Sequence, residues 1–197
     1  MTRRTATLER KTRETTIRVE LDVDGCGDST IETPLPFLSH MLDHVAQHSK
    51  IDLAVTAQGD VEIDGHHTTE DLGLVLGRAL LQALGDRTGI RRYGSATVPM
   101  DEALITAAVD LSGRPFFVYD LVLPKAKVGD WDSELGEVFF EALARGAQMN
   151  LHLKLHHGSN LHHILEGSFK AFAHALRQAT ERDPRSPGVP STKGMLD

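Results

Sequence analysis

The five-residue motif His-His-x-x-Glu occurs twice in this chain of 197 residues, and it constrains the fold more than any other feature. One copy runs from His66 to Glu70 and the other from His162 to Glu166, 96 residues further along the chain. Each copy begins a long stretch in which apolar residues recur at helical spacing. Because the predicted elements before each copy follow the same order, the chain is predicted to be a duplication. The spacing exceeds the repeat length of about 20–50 residues that is typical of solenoids.

The first half, about residues 1–90, is predicted to contain strands, a helix, further strands and then the helix that begins with the motif. Alternating polar and apolar residues predict strands at 5–23, 29–32, 51–57 and 60–63. Apolar residues at helical spacing predict helices at 37–48 and 66–84. A turn is expected at 24–27, Pro34 and Pro36 should interrupt the chain, and Gly85 is expected to end the second helix.

The second half, about residues 91–183, is predicted to repeat this order. Its strands are predicted at 92–99, 103–110, 116–123 and 149–155, and its helices at 133–145 and 162–180. The predicted fold class is α+β: two duplicated α/β halves, each a small mixed sheet backed by helices on one face, packed as one unit. We expect a single domain over residues 1–197. Its C-terminal tail, 184–197, is rich in Pro, Gly and Ser, a composition that predicts a loop or a disordered end.

Composition narrows the classes of function. A formal net charge of −7 at pH 7 argues against a general nucleic-acid-binding surface, although a local basic pocket could still bind a small anion. The single cysteine, Cys26, cannot form an internal disulfide, and a thiolate metal cluster is excluded. The sequence has no apolar run near the ~20 residues of a membrane-spanning helix, and its polar N-terminus lacks the apolar core of a secretory signal. We therefore expect a cytoplasmic protein whose partners are neither nucleic acids nor membranes.

The residue spacing within each motif predicts two metal ions. Adjacent residues of a helix diverge by about 100° around its axis, so His66 and His67 cannot easily bind one ion together. Each of them can share a helix face with Glu70, at i,i+4 or i,i+3. The same geometry applies to His162, His163 and Glu166. Imidazole and carboxylate ligands without thiolates suit Mn, Fe, Co or Zn.

Other histidines and basic residues are less informative by spacing alone. His40, His44 and His48 recur at i,i+4 on a predicted helix, where they could supply a further ligand or form a polar face. Arginine suits bidentate phosphate binding, but spacing does not assemble a pocket from Arg91, Arg92, Arg114, Lys170 and Lys193. The histidines expected to be structural or solvent-exposed are His152, His156 and His157.

Five segments carry a resemblance to a known enzyme family. They are residues 36–44, 64–71, 110–115, 160–166 and 190–194. In that order, and over essentially the whole chain, the sequence resembles the imidazoleglycerol-phosphate dehydratases. The resemblance implies a hydro-lyase that converts D-erythro-imidazole-glycerol phosphate, a small phosphorylated imidazole, into imidazole-acetol phosphate in histidine biosynthesis. It also implies two Mn(II) ions per subunit and a homo-oligomer of 24 subunits that share their sites.

This resemblance also assigns metal ligands position by position. One ion would take His40, His67, Glu70 and His162. The other would take His66, His163 and Glu166. The family normally supplies the second ion with one more ligand, at the position that Val138 occupies here. Because valine cannot bind a metal, this second site is expected to recruit Glu137, to use water or to bind its ion more weakly.

Substrate-binding and catalytic residues follow from the same resemblance. The catalytic set comprises the seven metal ligands and Glu14, an acid/base residue near the substrate. The substrate-binding set is Glu14, His40, His48, Arg92, Arg114, Lys170, Ser191 and Lys193. Its basic residues and Ser191 would surround the phosphate, so the tail would be an ordered lid segment. In the implied reaction the substrate ring would lose its N–H proton to become a metal-bound imidazolate and expel the neighbouring hydroxyl, and Glu14 would then take the carbon-bound proton of the substrate.

Three other functions remain open on the residues alone. A dinuclear metallohydrolase would use a bridging hydroxide as its nucleophile, although such sites usually rely on Asp and bridging carboxylates rather than on imidazoles. A metal-storage protein would need no substrate pocket. A structural protein would carry these histidines as helix-end residues, with Glu70 and Glu166 only complementing helix dipoles.

Overall fold

The computed structural model describes residues 3–186 and 188–196 as ten strands and four helices joined by turns. In chain order these are β1 Thr5–Lys11, β2 Thr15–Asp22, β3 Ser29–Glu32, α1 Pro36–Ser49, β4 Asp52–Gly59, α2 His66–Leu84, β5 Tyr93–Met100, β6 Ala103–Asp110, β7 Phe116–Asp120, β8 Lys127–Val128, β9 Trp131–Asp132, α3 Leu135–Ala147, β10 Asn150–His157 and α4 Leu161–Thr180. Across the described residues, none of the helices is both long and apolar enough to cross a membrane. Residues 1 and 2, and residues 187 and 197 of the predicted tail, lie outside the described residues.

Two four-stranded sheets share one topology. The first has the strand order β1-β2-β4-β3 and the second β5-β6-β10-β7. In each sheet the first three strands pair antiparallel, and the last strand pairs parallel with its neighbour. Because the two sheets have the same strand order and the same strand directions, the predicted duplication and the mixed character of both sheets are confirmed. The two-stranded β8–β9 hairpin was not predicted, because strands of two residues are too short to show alternation.

The helices lie between the two sheets. Helices α1 and α2 pack on the first sheet, and α3 and α4 pack on the second. The two helical layers then meet, because α1 contacts α4 and α2 contacts α3. Fully buried side chains such as Leu42, Phe140 and Phe169 fill the space between them. The predicted fold class, with helices on one face of each sheet, is therefore confirmed.

Glycines let α2 and α3 approach each other closely. A Cβ atom on Gly73 would lie 2.6 Å from the carbonyl oxygen of Phe139, and one on Gly77 would lie 2.4 Å from that of Leu143. Real Cβ atoms do not come so near to backbone oxygen, so any side chain here would push the two helices apart. This contact places the start of α2, with the first motif, beside α3.

All the predicted helices are present: α2 has the predicted bounds, α1 and α4 differ from theirs by one residue, and α3 lies two residues further along the chain than predicted. Helix α1 begins at Pro36, a residue that is favourable in the first turn because its missing N–H has no helical partner there. Helix α2 spans the predicted residues, and Gly85 follows it with a positive φ of 56°. Strand β7 ends at Asp120, three residues before the predicted end.

Two predicted strands are wrong. The alternating stretch 5–23 is two strands rather than one, because the hydroxyl of Thr12 accepts hydrogen bonds from the backbone N–H groups of Glu14 and Thr15 and turns the chain. Residues 60–63 form a turn, in which the N–H of Ile63 donates to the carbonyl of Asp60. Local side-chain and backbone hydrogen bonds outweigh strand propensity at both places.

Candidate metal centre

The second motif forms a compact cluster with helix α1. On α4, Nε2 of His162 lies 3.0 Å from Oε2 of Glu166, one helical turn away. Nε2 of His40, on α1, lies 3.5 Å from the same oxygen. The ligand atoms of these three residues all lie within 4.8 Å of one another, so they could hold one metal ion.

Glu166 is a buried carboxylate surrounded by cationic and imidazole groups. Its side chain is only 6% exposed, and its Oε1 accepts a hydrogen bond from Lys170 and lies 3.4 Å from Nε2 of His44. Burial alone would raise the pKa of Glu166, but the hydrogen bonds from Lys170 and His162 outweigh it and lower that pKa to about 2. The carboxylate is therefore ionised at neutral pH, as a metal ligand must be.

The first motif is more open. Nε2 of His66 lies 4.0 Å from Oε2 of Glu70, again one helical turn away, and the Glu70 side chain is 39% exposed. Its other oxygen accepts a hydrogen bond of 2.7 Å from Arg145 at the end of α3. Within the part of the chain that the structure describes, this pair belongs to no group of three ligand atoms within 4.8 Å.

The second histidine of each motif is held by a carboxylate outside the motif. Nδ1 of His67 lies 3.0 Å from Oδ2 of Asp60, and Nδ1 of His163 lies 2.7 Å from Oε2 of Glu102. These hydrogen bonds raise the pKa of both histidines. A carboxylate on one ring nitrogen orients the other nitrogen toward a metal ion, an arrangement that is common in metal sites.

Asp60 and Glu102 are two residues of this region that the sequence patterns do not indicate. Alternation predicts a strand at Asp60, and no motif includes Glu102. In the structure Glu102 immediately precedes β6 just as Glu14 immediately precedes β2 in the other half, a correspondence that the single strand predicted at 5–23 conceals. Glu102 also accepts hydrogen bonds from the backbone N–H groups of Ser159 and Asn160, which fix the turn before α4.

Within one chain, the structure groups the ligands differently from the sets that the resemblance assigned. His40 and His162 do come together, but with Glu166 instead of His67 and Glu70. The physical reason is that the i,i+4 histidine of each motif faces its glutamate. The i,i+3 histidine is turned aside by Asp60 or by Glu102.

Glu14 lies at the first motif. Its carboxylate raises the pKa of His67 through its charge, after the larger effect of the hydrogen bond with Asp60. The turn that carries it is joined to this region by a hydrogen bond of 3.2 Å from the backbone N–H of Asp60 to the carbonyl of Glu14. The predicted acid/base residue is thus near a predicted ligand.

The predicted phosphate-binding residues lie in several places. Arg92 donates to both oxygens of Asp110, at 2.7 and 3.0 Å, and to the carbonyl of Pro190 at 3.0 Å, so it joins β6 to the tail next to Ser191. The hydroxyl of Ser191 accepts from the backbone N–H of Lys193 at 3.1 Å. Lys170 lies at the second motif. Arg114 lies in the turn before β7, where its backbone N–H donates to Ser112.

A row of imidazoles continues from the cluster along α1 and α4. The ring of His44 lies 4.4 Å from that of His40 and 5.7 Å from that of His48, measured between centroids. His174 on α4 extends the row, 5.1 Å from His48. Burial lowers the pKa of His44, His48 and His174, so these rings favour the neutral form. Of this row, His174 was not among the residues that the sequence singled out.

Comparison with known proteins identifies the family. A family model described as imidazoleglycerol-phosphate dehydratase matches residues 33–176. A relative of that name from Symbiobacterium thermophilum is 58% identical over 98% of this chain and 93% of its own length, and one from Geobacter metallireducens is 54% identical over 98% and 99%. The crystal structure of imidazoleglycerol-phosphate dehydratase from Staphylococcus aureus superposes with a TM-score of 0.82 at 38% identity, over 91% of this chain and 99% of that one. The chain therefore belongs to the imidazoleglycerol-phosphate dehydratase family.

Proposed function

We propose that this chain is a metal-dependent hydro-lyase that dehydrates D-erythro-imidazole-glycerol phosphate to imidazole-acetol phosphate, a cytoplasmic step of histidine biosynthesis. Family membership supports the reaction class. The single observation that carries the metal dependence is the ionised, 6% exposed carboxylate of Glu166 with two imidazoles within ligand distance. Lys170 pairs with Oε1 of this carboxylate, while the two imidazoles converge on Oε2, and a carboxylate with two imidazoles is a donor set typical of a divalent-cation site.

The donor set fits Mn(II), and two ions per subunit are proposed. His40, His162 and Glu166 would hold one ion. His66 and Glu70 would provide two ligands of the other. The remaining ligands of each set, His67 and His163, would come from neighbouring subunits of a homo-oligomer, for which we propose 24 copies. When bound, the two cations would act as Lewis acids and as a template for the substrate's imidazole ring.

Glu14 is proposed to remove the carbon-bound proton of the substrate. A positioned carboxylate contributes most when it lies within hydrogen-bond reach of the proton that it takes. Glu14 stands at the end of the β1–β2 hairpin next to His67, so a ring held at this motif would lie beside it. Asp60 positions His67, and through the hydrogen bond between its N–H and the Glu14 carbonyl it also ties the two residues to one turn.

The phosphate is proposed to bind where the tail crosses the start of β5. Arg92 uses three of its five N–H groups on described residues, so the guanidinium can also donate to an anion. Ser191 and Lys193 follow the carbonyl that Arg92 contacts, and Arg114 and Lys170, which lie elsewhere in the same chain, would complete the set only in the assembled homo-oligomer. Binding the phosphate, which is remote from the reacting atoms, would hold the imidazole ring of the substrate beside Glu14. This lowers the entropic cost of the reaction.

The test is turnover of imidazole-glycerol phosphate by metal-stripped protein, before and after addition of Mn(II), with bound metal counted in the same sample. The proposal predicts activity that returns as metal binds. Metal binding without dehydration contradicts it. Release of inorganic phosphate from phosphoesters under the same conditions would then identify a metallohydrolase, and binding without either reaction a storage protein.

A further inference from the structure

We propose that the two motifs bind cations unequally in this chain: the cluster at Glu166 is the strong site, and the pair His66–Glu70 is a weak site. This inference rests on the metal dependence proposed above. It concerns the affinity of each site and not the reaction, so its failure and the failure of the proposed function are separable.

The internal repeat shows which residue the weak site lacks. Helices α1 and α3 end alike, each in a residue other than glycine with a left-handed conformation: Lys50 with φ 65° and Gln148 with φ 50°. In both halves one buried residue then leads into the next strand, β4 or β10. His40 lies ten residues before Lys50, and Val138 lies ten residues before Gln148. Val138 therefore occupies the position of His40 in the other half.

The helix contacts carry this equivalence to the metal ligands. Helix α1 contacts α4, which brings His40 to Glu166. Helix α3 contacts α2 in the same way, so the residue equivalent to His40 belongs to the cluster of Glu70. That residue is Val138, whose side chain has no lone pair. The cluster at Glu70 is thus left with one imidazole and one carboxylate from its own chain. The cluster at Glu166 has two imidazoles and one carboxylate.

Glu137 does not replace the missing ligand. It is turned by about 100° around α3 from Val138. Its side chain is exposed, and its charge raises the pKa of Tyr119 on β7 after the larger effect of burial. The resemblance grouped the missing ligand with Glu166, but the helix contacts place it at Glu70, and for that site we infer weaker binding rather than recruitment of Glu137.

Glu70 is also engaged by a cation of the protein itself. Arg145 donates to it at 2.7 Å, three residues before the end residue Gln148. The equivalent residue of the other half, three before Lys50, is the uncharged Gln47. A metal ion at the first motif must therefore displace or share the Arg145 guanidinium. Since both side chains are more than a third exposed, this ion pair has a small effect, and the missing ligand dominates.

The experiment is a titration of metal-stripped, assembled protein with Mn(II), with the free ion followed by electron paramagnetic resonance. We expect two classes of site whose dissociation constants differ by at least about tenfold, because the loss of even an outer-shell partner costs about 10–100-fold. Val138→His should strengthen the weak class by a similar factor. His40→Val, the matched control, should weaken the strong class. Arg145→Gln should strengthen the weak class by a few-fold only.

Three results would overturn the inference: two equivalent ions per chain in the wild type, a weak class unchanged by Val138→His, or a strong class unaffected by His40→Val. Val138 is half-buried, and a variant that fails to assemble is replaced by Val138→Glu, which supplies a carboxylate instead. Absence of any Mn(II) binding by the wild type would contradict the metal dependence itself.

Discussion

Nε2 of His162 lies 3.0 Å from Oε2 of Glu166, whereas the corresponding atoms of His66 and Glu70 lie 4.0 Å apart. The two pairs occupy the same turn of equivalent helices, so the difference arises from their neighbours. Around Glu166 stand His40, His44 and Lys170. Around Glu70 stands one exposed arginine. One sequence motif thus provides two environments with different electrostatics.

Glu166→Gln tests the more buried environment. The amide keeps the shape but loses the charge, so we expect Mn(II) affinity at the strong class to fall by at least about 100-fold and turnover to fall with it. Glu70→Gln is the matched control, and its effect should be smaller because Glu70 is exposed and already paired with Arg145. Affinity and turnover are measured on both variants. Equal losses would contradict the ranking of the two sites.

Glu14→Gln separates proton transfer from binding. The amide cannot accept the substrate proton, so we expect turnover to fall by about 10²–10⁴-fold while the substrate still binds. Glu9→Gln, an exposed change on the adjacent strand β1, should leave turnover unchanged. Steady-state rates and equilibrium binding of the substrate provide the measurement. Near-normal turnover of Glu14→Gln would remove this residue from the mechanism.

Glu102 is expected to act by positioning His163. Glu102→Ala removes the acceptor of the 2.7 Å hydrogen bond, and we predict a loss of about 10–100-fold in Mn(II) affinity. Glu102→Gln keeps an acceptor oxygen and should recover most of the affinity. A merely structural role predicts instead that both variants lower the melting temperature without changing Mn(II) affinity, and titration together with thermal unfolding distinguishes the two.

Gly77→Ala tests the close contact between α2 and α3. The new methyl group would lie 2.4 Å from the carbonyl oxygen of Leu143, so we expect a loss of about 1–3 kcal/mol in the free energy of unfolding. Gly188→Ala, where no atom lies within 4 Å of the added carbon, is the control and should change little. Chemical denaturation of both variants compares them. An unchanged midpoint for Gly77→Ala would mean that the helices can separate freely.

Asp52 should contribute to stability in a pH-dependent way. Its Oδ1 accepts hydrogen bonds from the backbone N–H groups of Cys26, Gly27 and Asp28, and the first of these is the main cause of its lowered pKa. A carboxyl whose pKa is lowered by folding stabilises the protein above its unfolded pKa, and that contribution is lost as the pH falls toward the folded value. Asp52→Ala should therefore cost about 1–2 kcal/mol at pH 7. This difference should narrow below about pH 4 in thermal unfolding. A constant difference across pH would contradict the role of the charge.

The duplication and the principal helices could be predicted from the sequence because they depend on local patterns. Apolar residues at helical spacing set α2 and α4 to within one residue, and Pro36 and Gly85 marked ends through their own backbone preferences. The two motifs could likewise be recognised as ligand sets, since the i,i+3 and i,i+4 positions of a helix have known directions. Where a side-chain hydrogen bond at Thr12 and a backbone hydrogen bond at Asp60 turn the chain, strand propensity predicted the wrong element.

Which ligands meet was decided only by tertiary structure. His40 reaches Glu166 because α1 packs against α4 across the two halves, a contact between residues far apart in sequence. Asp60 and Glu102 hold His67 and His163 because separate turns bring them to the helix starts. The chemical types of the ligands are a property of the sequence by itself. Their grouping, and the difference in burial between the two motifs, depend on long-range packing that no local pattern encodes.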